Sequence, residues 1–269
     1  MTAPSDKTIK NYEFNFVKIS KIIESEMEKK LIKSNFRLHM FQELNLKEII
    51  LIQKDFDYTS SLLKSFRTQL LRDISITNFY KLKYKDIMKK YDSGISILDV
   101  SKQCKVSPIS LLHFILKKKY GNKPFNSNKL TEYDKKQLKL ADKYDIINPL
   151  DQKTILEHSL KYEELVSHVL DKKNIKYKTQ EDLIMEQKEK YGHAVATPDF
   201  LLLAPIKING KTINWIEVKN FFGANTKFIR KKIKKQVGKY YKRYGPGCLV
   251  FRHGIVDSLH FDGTYIISF

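Results

Sequence analysis

The sequence predicts two parts of different class, an α+β chain whose second half is α/β in build. Residues 1–148 read as an all-helical domain with a helix-turn-helix at about 95–119. Residues 149–269 read as a domain with a central mixed β-sheet flanked by helices. Three observations predict this. Apolar residues recur at three- and four-residue spacings from Asn11 to about Lys90, as in Phe16-Val17-Ile19-Ile22-Ile23. Asn209-Gly210 separates two apolar runs, and Asn-Gly in that setting is the strongest short-range hairpin signal. Pro124 and Pro149 break the stretch between, and Asn148 marks the boundary.

Taken in order, residues 1 to about 10 are polar and read as loose. The helical pattern to Lys90 carries no recognisable chemistry, and its Lys and Glu are most simply solvated faces. From Gly94 a short helix ends near Cys104. A three-residue turn follows, then Ser107 as N-cap and Pro108 at the first helical position, with the second helix running to about Lys119. This is a helix-turn-helix pattern. Ser110 and His113, near the start of its second helix, could reach bases or phosphates, and Lys117 could hold backbone; the alternative is a helical hairpin used only for packing. The second half then reads as a helix (154–172), a strand (175–178) and a helical or loop segment (181–191). The two hairpin strands follow, then a basic helix (226–244) and strands at 248–251 and 265–269.

Composition bounds the function. The chain has 269 residues, 42% of them hydrophobic, which suits globular domains rather than disorder. No apolar run approaches the roughly 18 residues of a membrane span, and the N-terminus is not signal-like. Cys104 and Cys248 have neither disulfide-framework nor metal-ligand spacing, which fits a reducing compartment, nucleus or cytoplasm rather than secretion. The net charge of +20 favours a polyanionic partner. The plain alternative is a lysine-rich composition throughout.

The chemistry concentrates at Thr197-Pro198-Asp199 and, eighteen residues after Asp199, at Glu217-Val218-Lys219. The second triplet ends an apolar strand, where Glu217 and Lys219, two apart, share a face. Burying both costs free energy unless they meet a metal, a partner or each other. A two-residue turn at Asn209-Gly210 pairs Ile208 with Lys211, and hence Asp199 with Asn220, which puts Asp199 on the wrong face. One extra residue in a strand reverses the parity. Pro205 is the natural place, so a bulge or kink is expected there.

A third acid is expected from the helix at 154–172. With Leu160 at 0° and 100° per residue, Ile155, Leu156, Leu165, Val166, Val169 and Leu170 span about 140° to 320°. Glu163 falls inside this apolar arc; Glu157 and Glu164 fall outside it. Glu181 and Asp182 are second candidates, explained equally well by capping. The basic helix carries nine Lys or Arg between Lys227 and Arg243. Gln236 and Tyr240, four apart, share a face there. Lys231, Lys232, Lys235 and Lys239 would track phosphate, or form only a solvated cationic face.

At these residues the chain resembles the PD-(D/E)xK nuclease superfamily, whose signature Pro198-Asp199 and Glu217-Val218-Lys219 match. Gln236-Val237-Gly238-Lys239-Tyr240 resembles the Gln-x-x-x-Tyr helix of some branches. More narrowly, Thr197-Pro198-Asp199-Phe200, Trp215-Ile216-Glu217-Val218-Lys219, Phe222-Gly223 and Tyr244-Gly245-Pro246-Gly247 resemble the codanin-interacting nuclease, or TPD, family. The resemblance implies a restriction-endonuclease-like second domain. It also implies a Mg²⁺- or Mn²⁺-dependent nuclease acting on nucleic acid, DNA ahead of RNA. Asp199, Glu217 and the Val218 carbonyl would bind the metal with help from Glu163, and Lys219 would orient water or stabilise the transition state. It implies a codanin-type protein partner as well. The alternative is a catalytically silent protein that keeps the fold to bind nucleic acid or that partner. Monomer and homodimer are both left open.

Overall fold

The computed structural model describes residues 9–16, 18–33 and 40–268. These divide into two compact units: residues 22–152 with 226–228, and residues up to 21 with 153–225 and 229–269. Among the described residues no helix is long and apolar enough to cross a membrane.

The first unit is helical: α1 (Lys21–Lys33), α2 (Leu46–Gln53), α3 (Ser60–Phe79), α4 (Tyr84–Asp92), α5 (Ile97–Cys104), α6 (Pro108–Tyr120) and α7 (Glu132–Tyr144). The expected helix-turn-helix spacing is present in α5, the turn 105–107 and α6. Lys105 ends α5 in the left-handed region, and the Ser107 hydroxyl accepts from the Ser110 amide. The α6 helix is the hub of this unit. Leu111, Leu112, Ile115 and Leu116 are fully buried among residues of α4, α5 and α7. Its first turn is closed by Asp145, whose carboxylate accepts from the Ile109 amide at 2.9 Å and from the Ser107 hydroxyl. An anion at a helix N-terminus is favoured by the unpaired amides there. Beneath the hub, Asp134 accepts from the Tyr91 and Tyr120 hydroxyls and the Thr131 backbone, so a buried carboxylate is fully hydrogen-bonded.

The second unit is α/β: β1 (Asn11–Tyr12), β2 (Lys18–Ile19), α8 (Lys153–Lys172), β3 (Tyr177–Thr179), α9 (Gln180–Tyr191), β4 (Phe200–Ile208), β5 (Lys211–Lys219), α10 (Lys227–Tyr244), β6 (Gly247–Phe251), β7 (Ile255–Val256) and β8 (Thr264–Ser268). The sheet order is β1-β4-β5-β6-β8, with β3 also on β4, and β2 pairs separately with β7. The β4–β5 hairpin turns at Asn209-Gly210, both with positive φ, as a tight turn of this type requires. The β5, β6 and β8 strands run parallel, so the sheet is mixed. One face, with Ile216, Val218, Cys248, Val250 and Ile267, packs on Tyr162, Val166 and Leu170 of α8. The other carries Trp215, whose ring meets Tyr240 of α10 edge-on at 5.2 Å.

Two expectations are corrected. The segment from Asn11 was read as helical and as part of the first domain. Instead β1 adds in parallel to β4 at Lys207 and Ile208, and β2 adds to Ile255 and Val256. The period that wins is two: Tyr12, Phe14 and Phe16 alternate and pack against the α/β core. The apolar arc read for α8 is also displaced. Ile155, Leu156, Leu160 and Leu165 are half exposed, and burial begins at Tyr162. Tyr162, omitted from the apolar set, sets the true stripe with Val166 and Leu170 at four-residue spacing.

Trp215 fixes how closely β6 approaches β5. Its indole N–H donates to the Gly245 carbonyl at 2.9 Å, and a Cβ built on Gly247 would lie 2.0 Å from the ring. Gly247→Ala is therefore expected to destabilise the protein by about 1–3 kcal/mol. Urea denaturation checks this; a loss below about 0.5 kcal/mol would mean that the ring moves aside freely.

Candidate active site

The geometry starts from the irregular register of β4 against β5. Near the turn Ile208 faces Lys211 and Ile206 faces Ile213; further on, Leu201 faces Trp215 and Phe200 faces Ile216. Residues 202–205 therefore oppose Asn214 alone, three residues in excess. An odd excess reverses the face of everything beyond it. Asp199, one residue before β4, is thereby set opposite Glu217 rather than Asn220. Pro205 lies within the irregularity, as expected, although the excess is three residues rather than one. The outer edge there is partly satisfied by the Leu203 amide donating to the Lys176 carbonyl at 2.9 Å.

Asp199 accepts a hydrogen bond from the Val218 amide at 2.7 Å. N–H and C=O of one strand residue share an edge, so the Val218 carbonyl is turned to the same side, where β4 has already ended. Glu217 is 2% exposed. Its Oε1 accepts from Lys219 Nζ and from Gln236 Nε2. Its Oε2 is buried with no hydrogen-bond partner. An orphaned buried carboxylate oxygen is costly, and a cation is the usual remedy. Asp199 reports the same excess of negative charge. Burial first, then the Glu217 carboxylate, push it up to about 8, against the pull of Lys219 and the Val218 amide. Glu163 on α8 is raised by its own burial and then by Glu217, while Lys219 lowers it. The four charged groups thus share one field. Among the described residues no three His, Cys, Asp or Glu side chains converge closely enough to hold a metal by themselves. The donor set that fits a divalent cation is Asp199, the free oxygen of Glu217 and the Val218 carbonyl, with Glu163 in the same field.

A layer of hydrogen bonds holds this set. Gln236 also donates to the Tyr240 hydroxyl at 3.0 Å, and that hydroxyl donates to the Thr197 carbonyl at 3.1 Å. Burial, and then Glu217, raise the Tyr240 phenol, so it stays a neutral donor. Gln187 was not anticipated, and Tyr244 was read only as part of the Tyr244-Gly245-Pro246-Gly247 motif, with no role in the site. The Gln187 side chain accepts from the Val195 and Ala196 amides and donates to the Ala196 carbonyl, which also accepts from the Tyr244 hydroxyl at 2.7 Å. Together they brace the loop that enters Asp199. The available signal for Gln187 was a polar residue four positions after Leu183 on the buried stripe of α9. From the other side, the Gln180 amide donates to the Asp199 carbonyl at 3.1 Å.

The remaining expected residues fall as follows. Lys231, Lys232, Lys235 and Lys239 are exposed on α10, with Lys232 and Lys239 on the ridge of Gln236. Asp182 serves the N-cap of α9 with Thr179, and Glu181 is exposed. In the helical unit His113 and Lys117 are exposed, whereas Ser110 is half-buried and accepts from Asn148 Nδ2 at 2.9 Å.

Residues 130–268 match the family model described as "Protein of unknown function TPD sequence-motif". The chain is 28% identical over 264 residues to an uncharacterized protein of Acanthamoeba polyphaga mimivirus, covering 96% of this chain and 85% of that one. It is 30% identical over 106 residues to CDAN1-interacting nuclease 1 of Mus musculus, 39% of this chain and 35% of that one, and 28% identical to the Homo sapiens protein of that name over the same length. The match thus spans about a third of the length of these named nucleases. No solved structure matches.

A carboxyl held protonated by burial stabilises the fold at low pH. That contribution is present in full below the unfolded value of about 3.9 and is lost as pH rises through about 8. With divalent cations chelated, stability should fall between pH 5 and 8 by up to about 1.4 kcal/mol per pH unit. Asp199→Asn should flatten the fall. Urea denaturation at three pH values tests this, and an equal slope in the variant would show that another group titrates.

Proposed function

The chain belongs to the TPD-motif, or codanin-interacting nuclease, family, and on that premise we propose that its α/β unit is a divalent-metal-dependent nuclease of the PD-(D/E)xK type, acting on DNA in preference to RNA. The observation that carries this reading is the buried convergence of Asp199, Glu217 and Lys219 with one Glu217 oxygen left unpaired. Asp199, Glu217 and the Val218 carbonyl would hold Mg²⁺ or Mn²⁺, with Glu163 beside them. Such an ion supplies, when bound, a Lewis acid for a phosphoryl oxygen and a water of lowered pKa.

The residues of the chain do the rest. Asp199 shares its field with Glu217 and Lys219, so added positive charge lowers its pKa and makes it the anion the site needs. Lys219, held two residues from Glu217 on the same face, presents a fixed cation where charge builds on a phosphorane-like transition state. Gln236 keeps Glu217 in one orientation, and Tyr240, Tyr244 and Gln187 hold the entering loop. Lys231, Lys232, Lys235 and Lys239 would bind phosphates on either side of the cleaved bond. In the helical unit His113 and Lys117, with Ser110 behind them, would add contacts to the same polyanion through the helix-turn-helix. The relatives named as CDAN1-interacting support a codanin-type protein as a second partner for this chain.

Cleavage of labelled single-stranded, duplex, flap and four-way DNA, and of RNA, with Mg²⁺ or Mn²⁺ is the direct test. Wild type should cut, while Asp199→Asn and Lys219→Met should each lose about 10²-fold or more and keep binding. Equal cutting by both variants would remove these residues from catalysis. Wild type that binds nucleic acid without cutting any of the panel would favour a silent, partner-binding role. Replacing Lys231, Lys232 and Lys235 by Glu should weaken binding and reduce its salt slope by about three. An unchanged slope would take α10 out of the interface.

A further inference from the structure

The helical unit contains a cavity that the proposed chemistry does not use. It measures about 360 Å³ and is lined by Phe79, Tyr80, Ile109, Ser110, His113 and Phe125, with Ser75, Ile76 and Asn148 completing its wall. That volume lies in the range of small-molecule sites. Its walls are rings set at steep angles to one another. His113 meets Phe125 edge-on at 5.5 Å, and Phe79 meets Tyr80 edge-on at 6.3 Å. Tyr80 is 84% exposed, an unusual position for an aromatic ring beside an apolar cavity. The polar groups are few and grouped, with Ser110 and Asn148 hydrogen-bonded to each other and His113 opposite Phe125.

Charge says what kind of molecule carries the occupant. Between residues 81 and 139 the chain has 15 lysines and 5 acidic residues, whereas from 22 to 80 it has 9 basic and 8 acidic residues. The excess therefore lies on the segments that include α6 and Phe125. Lys117 is one turn from His113 on the exposed side of α6, and Lys81 and Lys83 lie one and three residues after Tyr80. Because Asp145 accepts from the Ile109 amide and the Ser107 hydroxyl from the Ser110 amide, the first turn of α6 does not offer these amides to a phosphate.

We propose that this cavity takes one unpaired nucleobase, stacked on Tyr80 or His113, while the surrounding lysines hold the strand that carries it. The helical unit would then read unstacked or single-stranded positions rather than the edges of an intact duplex. The inference rests on nucleic acid being the partner of this chain, but not on catalysis, so it is tested without cleavage.

The experiment uses the full chain carrying Asp199→Asn in EDTA. It compares a duplex containing one bulged 2-aminopurine with the same duplex fully paired. The bulged duplex should bind at least about tenfold tighter, with quenching of the 2-aminopurine on stacking. Tyr80→Ala should cut that preference by about 5- to 100-fold, the range of one lost base–aromatic stack, and leave binding of the paired duplex unchanged. Ile76→Phe, which fills the cavity from its wall, should do the same, and retained thermal melting keeps either result from being a folding defect. Equal affinity for the two duplexes, or a preference that survives both substitutions, would overturn the proposal. So would displacement of the quenched signal by an acidic aromatic peptide at equal concentration, which would assign the cavity to a protein segment. Neither result would bear on whether Asp199 cleaves.

Discussion

Parity governs this molecule. A strand presents alternate residues to opposite faces, so the number of surplus residues in β4 decides whether Asp199 and Glu217 can meet at all. Three surplus residues between Leu201 and Ile206 place them opposite each other, and every later feature depends on that odd number. The Val218 amide reaches the Asp199 carboxylate because β4 has ended one residue earlier. The Val218 carbonyl is left at an open edge for the same reason. Burial, and after it the neighbouring Glu217 carboxylate, push the Asp199 carboxyl up to about 8. Strand geometry thus creates an electrostatic demand that Lys219 and Gln236 meet in part.

What surrounds the charges is rigid for separable reasons. On one face, the bulk of Trp215 is accommodated by the missing side chain of Gly247 and anchored on the Gly245 carbonyl. On the same face Tyr240 both packs on Trp215 and ties the Thr197 carbonyl, joining core packing to the loop that enters Asp199. Gln187 closes that loop as a side chain standing in for a strand partner, with three hydrogen bonds to Val195 and Ala196. Each of these groups is buried and satisfied, which is what positions an active-site carboxylate within a narrow range.

Much of this was legible in the residues. Asn209-Gly210 specifies the hairpin, and the parity conflict that a regular ladder would create points to Pro205. Gln236 and Tyr240 could be read from their four-residue spacing on the helix that follows the strand carrying Glu217 and Lys219. The spacing of Gln187 from Leu183 marks it as inward-facing, but its bracing role was not legible, because its partners appear only when the loop at 195–196 folds against it. The strands at 11–12 and 18–19 were missed because a helical period and a period of two coincide over so short a run, and only the distant edge of β4 decides between them. The arc of α8 was too wide because Ile155, Leu156, Leu160 and Leu165 are apolar yet half exposed, while the stripe that packs is Tyr162, Val166 and Leu170. The residues of the α5–α6 turn were readable as a turn, but their burial around α6 depends on Asp145 and Asn148, which lie thirty-five or more residues away.

The N-terminal pairing has a temporal side. The partners of Asn11 and Tyr12 are Lys207 and Ile208, and those of Lys18 and Ile19 are Ile255 and Val256. During synthesis at about 5–20 residues per second, the first strand waits on the order of 10–40 seconds for its partner to be made. The α/β unit closes only after the whole helical unit, encoded between its two parts, has left the ribosome. Until then Tyr12, Phe14 and Phe16 form an apolar segment with its backbone unpaired, the kind of segment that chaperones and proteases recognise. The helices, whose contacts are local, are free to fold first.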